Sequence, residues 1–404
     1  MTLGQDVAPR TTLPTTTEEL LQRACEISAS LVDRQAETEA RTYYAEDTHA
    51  AFAEAGFYRL LTPKRYGGYE LPIEDYLAIA RTIARGCPST GWCFTLGTSH
   101  ALTAASFFPE ETQDAIFADT DLRIPLTFKP QGSARRTAGG WEIHGEFNFC
   151  SGIPYATYFI GHVLADIDGK VVPSMFVAPR ELWTRLDDWG NQIGLKGSGS
   201  HSIRFDGGVI PESWLMPSAV ILGLDPQGGT PGLTLHGNPA YAGWSTSFFL
   251  LETASLAVGM AQGALDAYEV LLRTKNIATP PFNPRSEDPN YQRWFGDAMG
   301  KVATAEAAVL HAAGQWMKYA ASGHFTPERD LSLVTIAREV IRLSWDAVHG
   351  VLVRSAGSTS MRTGERIERI FRDLATVHSH NGIVSFGELA TQGVAQLHLA
   401  EATP

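Results

Sequence analysis

The side chains in this sequence best suited to moving protons at neutral pH are its histidines, since an imidazole titrates near ~6.5. Two of the twelve stand in settings that would hold them in place. His100 shares a helical stripe with Trp92, Leu96 and Thr103, and His380 follows Arg372 and Thr376 at four-residue steps. Both are expected to face inward. On pattern alone, a lone histidine on an apolar stripe is ordinarily a core residue bonded to a backbone carbonyl. His378 and His380 form a His-x-His pair, but on one helix their side chains diverge by roughly 200°, and no other cluster has ligand spacing, so no metal is expected.

Other chemistries are excluded more simply. Cys25, Cys87, Cys93 and Cys150 contain no CxxC pair, so they read as reduced thiols serving mostly as small buried apolar groups. The run Gly194-Leu-Lys-Gly-Ser-Gly199 has the wrong order for a dinucleotide fingerprint and leads into a strand rather than a helix. P-loop, HExxH and GxSxG patterns are absent. Lys and Arg total 32 against 44 Asp and Glu, a net charge of −12, with no basic run for a nucleic acid. The most apolar stretch, 248–265, is interrupted by Glu252 and Gln262, so no membrane span is expected. Residues 1–17 are rich in Thr and Pro without a secretory core; they read as a mobile tail, and the cytoplasm is the default location.

The elements that must carry these residues follow from the hydrophobic period. Thr16-x-x-Glu19 is a capping box, so a helix begins near Glu18. Helical stripes recur over 47–61, over 73–85, and after a cap at Ser89 or Thr90. From about Ile124 the period falls to two: Trp141, Ile143, Phe147 and Phe149 alternate with polar residues, and apolar runs at 158–164, 171–177 and 203–210 are separated by turn formers. A glycine-rich linker spans 226–239. Long helices then cover 246–275, 290–321 and 327–356, with shorter pieces from Glu365, and a loop joins the first two over 278–289. The expected architecture is α+β and mainly α. It comprises an N-terminal helical domain (18–123), a central antiparallel β-barrel-like domain (124–235) and a C-terminal four-helix bundle (236–404), with no βαβ alternation.

Five segments in this order resemble the acyl-CoA dehydrogenase fold and, within it, the oxygenase components of two-component (group D) flavin-dependent monooxygenases. They are Pro63-Lys-Arg-Tyr-Gly-Gly68, Gly86-Cys-Pro-Ser-Thr-Gly-Trp92, Gly139-Gly-Trp-Glu-Ile-His-Gly-Glu-Phe-Asn-Phe-Cys-Ser-Gly152, Gly194-Leu-Lys-Gly-Ser-Gly-Ser-His201, and Phe371-Arg-Asp-Leu374 with His380 eight residues after Arg372. The resemblance implies a flavin between the β domain and the bundle, often completed by a neighbouring subunit of a tetramer. It places Phe149, Cys150 and Ser151 beside the flavin ring, with Ser151 bonding its edge, and Gly132 and Ser133 nearby. Arg273 and Lys275 fall where a cation holds the flavin phosphate. His100 and His380 match the two histidines of phenol- and thiophene-oxidising relatives. Trp92, His201 and Asn381 are candidate substrate contacts, while His378 is a bystander.

The resemblance also separates two chemistries. A dehydrogenase needs a carboxylate to take an α-proton, commonly nine residues after the Arg of the Arg-Asp pair; here that position is Asn381, an amide that is no base. Some relatives carry the Glu on another helix. The reading is therefore an oxygenase component. It uses reduced flavin (FMNH2 or FADH2) and O2, through a flavin hydroperoxide, to oxidise a small aromatic or heteroaromatic substrate, with a separate NAD(P)H-dependent flavin reductase and a homotetrameric state. The alternatives are an acyl-CoA dehydrogenase-like desaturase, an amino-sugar N-oxygenase, or a flavin-free binding protein.

Overall fold

The computed structural model describes Pro14 and residues 16–401; the tail expected over 1–17 falls almost entirely outside them. The capping box opens the first helix as expected. Thr16 Oγ1 accepts the Glu19 N–H and the Glu19 carboxylate accepts the Thr16 N–H, both at 3.2 Å, which contributes about 1 kcal/mol. The N-terminal helices are α1 (Thr17–Leu31), α2 (Gln35–Arg41), α3 (Glu46–Glu54), α4 (Ile73–Gly86), α5 (Pro88–Thr98), α6 (Ala101–Phe107) and α7 (Glu110–Ile116). Two of these differ from expectation. The helix expected over 47–61 stops at Glu54 because Gly56 turns left-handed (φ 75°). Ser89 does not cap α5 but lies inside it, because Pro88 takes the first helical position.

The β domain is a seven-stranded sheet of β1 (Leu126–Thr137), β2 (Gly140–Phe147), β3 (Tyr158–Ile167), β4 (Lys170–Pro179), β5 (Thr184–Arg185), β6 (Ile203–Ile210) and β7 (Leu215–Met216). Its order is β5-β6-β2-β1-β3-β4-β7. Two corrections follow. The sheet is mixed, since β1 and β3 pair in parallel, with Leu126 opposite Ile160 and Ser133 opposite Leu164. It is also open, with short β5 and β7 at its edges, so the barrel-like description fails on closure. Both faces are nevertheless covered. Ile160, Met175 and Val177 join the helical core, while Phe147, Phe159, Phe176 and Phe205 pack edge to face on the other side.

After the short α8 (Pro231–His236) come α9 (Ser245–Thr274), α10 (Pro289–Ser322), α11 (Pro327–Trp345), α12 (Arg354–Ala356), α13 (Arg366–His378) and α14 (Asn381–Glu401). A π-helical stretch, Asp346–Val353, joins α11 to α12. Buried along most of its length, α9 is the spine: it packs against α4, α10, α11 and α13, while α14 lies on α11. Alone among the described residues it is apolar and long enough to cross a membrane, and 89% of its apolar window is buried inside the fold.

Candidate active site

Helix α5 positions most of the site because it is buried on nearly every side, and small residues let its neighbours approach. One close approach is the turn after β2. A Cβ at Gly152 would lie 2.7 Å from the Cys93 carbonyl and from Gly97 Cα, so this turn rests directly on the α5 backbone. Within it, Phe149 takes a left-handed φ of 62°, which costs about 1 kcal/mol and turns its ring outward, where it is 68% exposed. Cys150 points the other way, fully buried in the sheet core, with its thiol donating to the Phe147 carbonyl. Its side chain therefore does not reach the rim where the resemblance set it.

Ser151, between those two orientations, stands on the rim. Its Oγ accepts the Trp92 indole N–H at 3.1 Å and lies 2.7 Å from Ser200 Oγ, which is 2.7 Å from Ser198 Oγ. The Trp92 ring in turn stands 6.0 Å from the His380 ring. Four elements far apart in sequence thus converge on Ser151, Trp92 and His380.

His380 is not on the helical stripe expected for it. Helix α13 ends at His378, and His380 sits in the break before α14, its carbonyl accepting the Val384 N–H. It is exposed in the isolated chain, yet the protein around the ring is dense enough to lower its pKa through desolvation. No hydrogen bond fixes its ring among the described residues.

His100 is the opposite case. It occupies the junction between α5 and α6, fully buried, with Nδ1 3.0 Å from the Leu96 carbonyl and 3.2 Å from that of Ile124. Two acceptors at Nδ1 place the proton there, so Nε2 presents a lone pair, and it has no partner among the described residues. Burial pushes the pKa down to about 4, the two carbonyls opposing the shift, so the ring is neutral at pH 7.

A wall of rings joins the two histidines. Phe249 lies 5.4 Å from His100, Phe128 lies 5.0 Å from Phe249, and Phe386 lies 6.4 Å from Phe128. Phe386 and the His380 ring both border Gly382, where an added Cβ would meet them at 3.7 and 3.2 Å. One turn beyond Phe249 on α9, Glu252 is completely buried facing Ser99, and desolvation raises its pKa to about 8.

Several expected contacts lie elsewhere. His201 is buried with Nε2 2.8 Å from Thr42 Oγ1, so it pins the β domain to α2 rather than facing the Ser151 rim. Gly132 (φ 92°) is required by its own sheet, because a Cβ there would lie 2.2 Å from the His144 carbonyl, and Ser133 is exposed on β1. Asn381 opens α14, its side-chain oxygen accepting from Ser385 Oγ. Arg273 is exposed and paired with Glu269, and both Arg273 and Lys275 lie at the far end of α9, about 36 Å along the helix from Phe249. They do not meet the Ser151 rim of their own chain. Sequence reasoning missed Ser198, Ser200, Phe128, Phe249, Phe386 and Trp189, whose ring stands edge-on to Phe149. The serines alternate through a glycine-rich turn, which was the available signal for a shared side.

The rim fits a planar, polar-edged ring system. An outward aromatic in a costly backbone conformation, two indoles and a hydroxyl already oriented by two partners offer stacking and edge bonding together.

Comparison with known proteins matches the chain at both ends. Residues 15–117 match the acyl-CoA dehydrogenase N-terminal domain and residues 251–385 its C-terminal domain. The crystal structure of 3-HSA hydroxylase from Rhodococcus sp. RHA1 superposes with a TM-score of 0.84 at 24% identity, over 95% of this chain and 97% of that one. XiaF from Streptomyces sp., in complex with FADH2 and glycerol, superposes at 0.83 with 21% identity, over 93% and 96%. The fold is therefore that of the acyl-CoA dehydrogenases. In sequence, the chain is 30% identical over 381 residues to the flavin-dependent monooxygenase oxygenase subunit HsaA of Rhodococcus jostii (strain RHA1), covering 89% of this chain and 94% of that subunit. The chain belongs to the flavin-dependent monooxygenases, among their oxygenase subunits.

Proposed function

We propose that this chain is the oxygenase half of a two-component system that inserts one oxygen atom into a small aromatic or heteroaromatic compound. A separate flavin reductase supplies FMNH2 or FADH2. The observation that carries the reading is the convergence of Ser151, Trp92 and His380, continued by a ring wall to a second, fixed imidazole. When bound, the reduced flavin supplies the electrons that activate O2; the chain supplies place, dryness and proton control.

Ser151 orients the flavin edge and Phe149 covers its face. His380, whose pKa is lowered by desolvation from the protein packed around its ring, takes the proton of a phenol or amine. His100 offers a free acceptor at Nε2 and cannot charge in the working range. Phe128, Phe249 and Phe386 exclude water and stack the substrate. Arg273 and Lys275 serve the flavin phosphate of a neighbouring protomer in a homotetramer, which reconciles their distance from the rim of their own chain with that role. The cytoplasm, where reduced nicotinamides and reductases are at hand, is the proposed location.

The test is anaerobic mixing of protein and reduced flavin, followed by O2. A long-lived near-ultraviolet absorbance before oxidised flavin returns is expected. Direct return to oxidised flavin, or bleaching of oxidised flavin by an acyl-CoA, would count against the reading. The dehydrogenase alternative has one structural handle, the Glu252 carboxyl, but that group faces Ser99 within the α4–α5–α9 core.

A further inference from the structure

The turn that brings Ser198 and Ser200 to the rim is held from below by the bundle. Asp373, buried in α13, accepts the Leu195 N–H at Oδ1 (2.5 Å) and the Ser89 hydroxyl at Oδ2 (3.3 Å). Ser89 Oγ itself accepts the Gly197 N–H at 3.3 Å. The preceding residue grips the same turn: Arg372 Nη1 donates to the Ile193 carbonyl at 2.8 Å, its other nitrogens being occupied by Glu39 and Glu368. The turn has no slack. A Cβ at Gly194 would lie 2.0 Å from the Arg372 carbonyl, one at Gly197 2.4 Å from Thr38, and Leu195 is held at a left-handed φ of 52°.

From this grip two short routes reach the rim. The Leu195 carbonyl accepts the Trp189 indole N–H at 3.0 Å, and Trp189 packs on Phe149. Ser198, whose N–H bonds that same carbonyl, passes through Ser200 to Ser151 and also accepts the Gly152 N–H. An acidic side chain of the bundle is therefore coupled to both Phe149 and Ser151, within a span of six residues.

We propose that Asp373 is a positioning residue: through residues 195–200 it sets the Ser151 hydroxyl and the Trp189–Phe149 pair, and so the fit of the flavin to the β domain. This rests on the flavin reading above. It makes the Arg372-Asp373 pair part of the cofactor site, although neither residue touches it.

A double-mutant cycle tests the coupling in the full-length protein, reading reduced-flavin affinity and the share of NADH lost to hydrogen peroxide. Burial raises the Asp373 pKa to about 7, so its carboxyl is only partly ionised at neutral pH; Asp373→Asn should weaken flavin binding about tenfold, the effect of one buried hydrogen bond, and raise peroxide release. Ser151→Ala should do the same, and the double variant should lose less than the product of the two single losses, the remainder being the Trp189–Phe149 route. Losses that multiply would overturn the proposal. Hydrogen exchange, which needs no flavin, separates this from failure of the flavin reading. In Asp373→Asn, protection should fall at residues 149–152 as well as 195–200, with α9 and α10 unchanged; loss confined to 195–200 would sink it. Wild-type protein that binds no reduced flavin, yet shows the coupled exchange, would defeat the flavin reading alone. If Asp373→Asn does not fold, Ser89→Ala carries the test, with a smaller loss of protection at 149–152 expected and unchanged protection there refuting the coupling.

Discussion

His100 and His380 set the same imidazole in contrasting surroundings. His100 is sealed between α5 and α6, its Nδ1 proton assigned by two carbonyls and its pKa driven down to about 4. His380 stands in the break between α13 and α14, touched by the Trp92 ring and bonded by nothing at its nitrogens among the described residues. The first can only offer a fixed lone pair. The second can turn, gain a proton and lose it. A site built this way divides the labour, with geometry fixed on the dry side and proton traffic managed on the side that opens to solvent.

The largest effect should therefore follow from removing the free imidazole. His380→Ala should lower product formation about 10²-fold or more in a reductase-coupled assay while reduced-flavin affinity changes little. Equal loss of both would make His380 structural. In the wild type, product formation should fall as pH drops through a single step below the ordinary histidine value, because protonated His380 can no longer accept. The step should persist in His100 variants, whose ring does not charge in that range.

Stability should be most sensitive to pH on the sealed side, through Glu252. Its folded pKa is raised to about 8 from the ordinary 4.5, so between those values the folded chain keeps a proton that the unfolded chain has released. Stability from this group is complete below the unfolded value and is lost as pH rises toward 8. Glu252→Gln removes this contribution and leaves those of the buried Asp330 and Asp373, whose pKa values are raised to about 6 and about 7. Relative to wild type, it should gain on the order of 3 kcal/mol between pH 5 and pH 8, read from denaturant midpoints. A shift of equal size at both pH values would show that Glu252 is not the titrating group.

His100 tests whether fixing and chemistry can be separated. His100→Ala strands the Leu96 and Ile124 carbonyls and should cost about 1–3 kcal/mol of stability. His100→Asn can keep a donor near the Nδ1 position but loses Nε2, so it should recover most of the stability and none of the product. Recovery of both would mean that the Nε2 lone pair has no part in the reaction.

The same contrast marks what was legible in the sequence. Long helices such as α4, α9 and α10 were readable because many residues repeat the 3.6 period, and the capping box fixed where α1 begins. Helix breaks at His100 and His380 were not, because neither is marked by a proline and the apolar stripe runs through both. The strand alternation in 141–147 showed which face is buried but could not show that β1 and β3 run parallel, since pairing partners leave no periodic trace. Phe149 stood in that alternation as an inward residue, and a left-handed backbone turned it out. At the rim, only the family resemblance drew attention to Ser151. Its partners Ser198 and Ser200 were hidden in a run that reads locally as a turn, and the grip of Asp373 on that turn spans 178 residues of chain.

Trp92 is where the two sides meet, since its N–H orients Ser151 and its ring borders His380. Trp92→Phe removes the first function and keeps most of the second. The Ser151 hydroxyl then retains only Ser200, so reduced flavin should bind several-fold more weakly, consistent with about 1 kcal/mol for one neutral hydrogen bond. The unfolding midpoint should fall through the volume lost at the buried Trp92 and not through Ser151, which is only partly buried and can bond water in place of the lost donor. Titration of each variant with reduced flavin under anaerobic conditions reads the difference directly. If affinity is unchanged while Ser151→Ala weakens it, Ser200 alone orients the hydroxyl, and the free and fixed sides of the site are joined by packing rather than by a hydrogen bond.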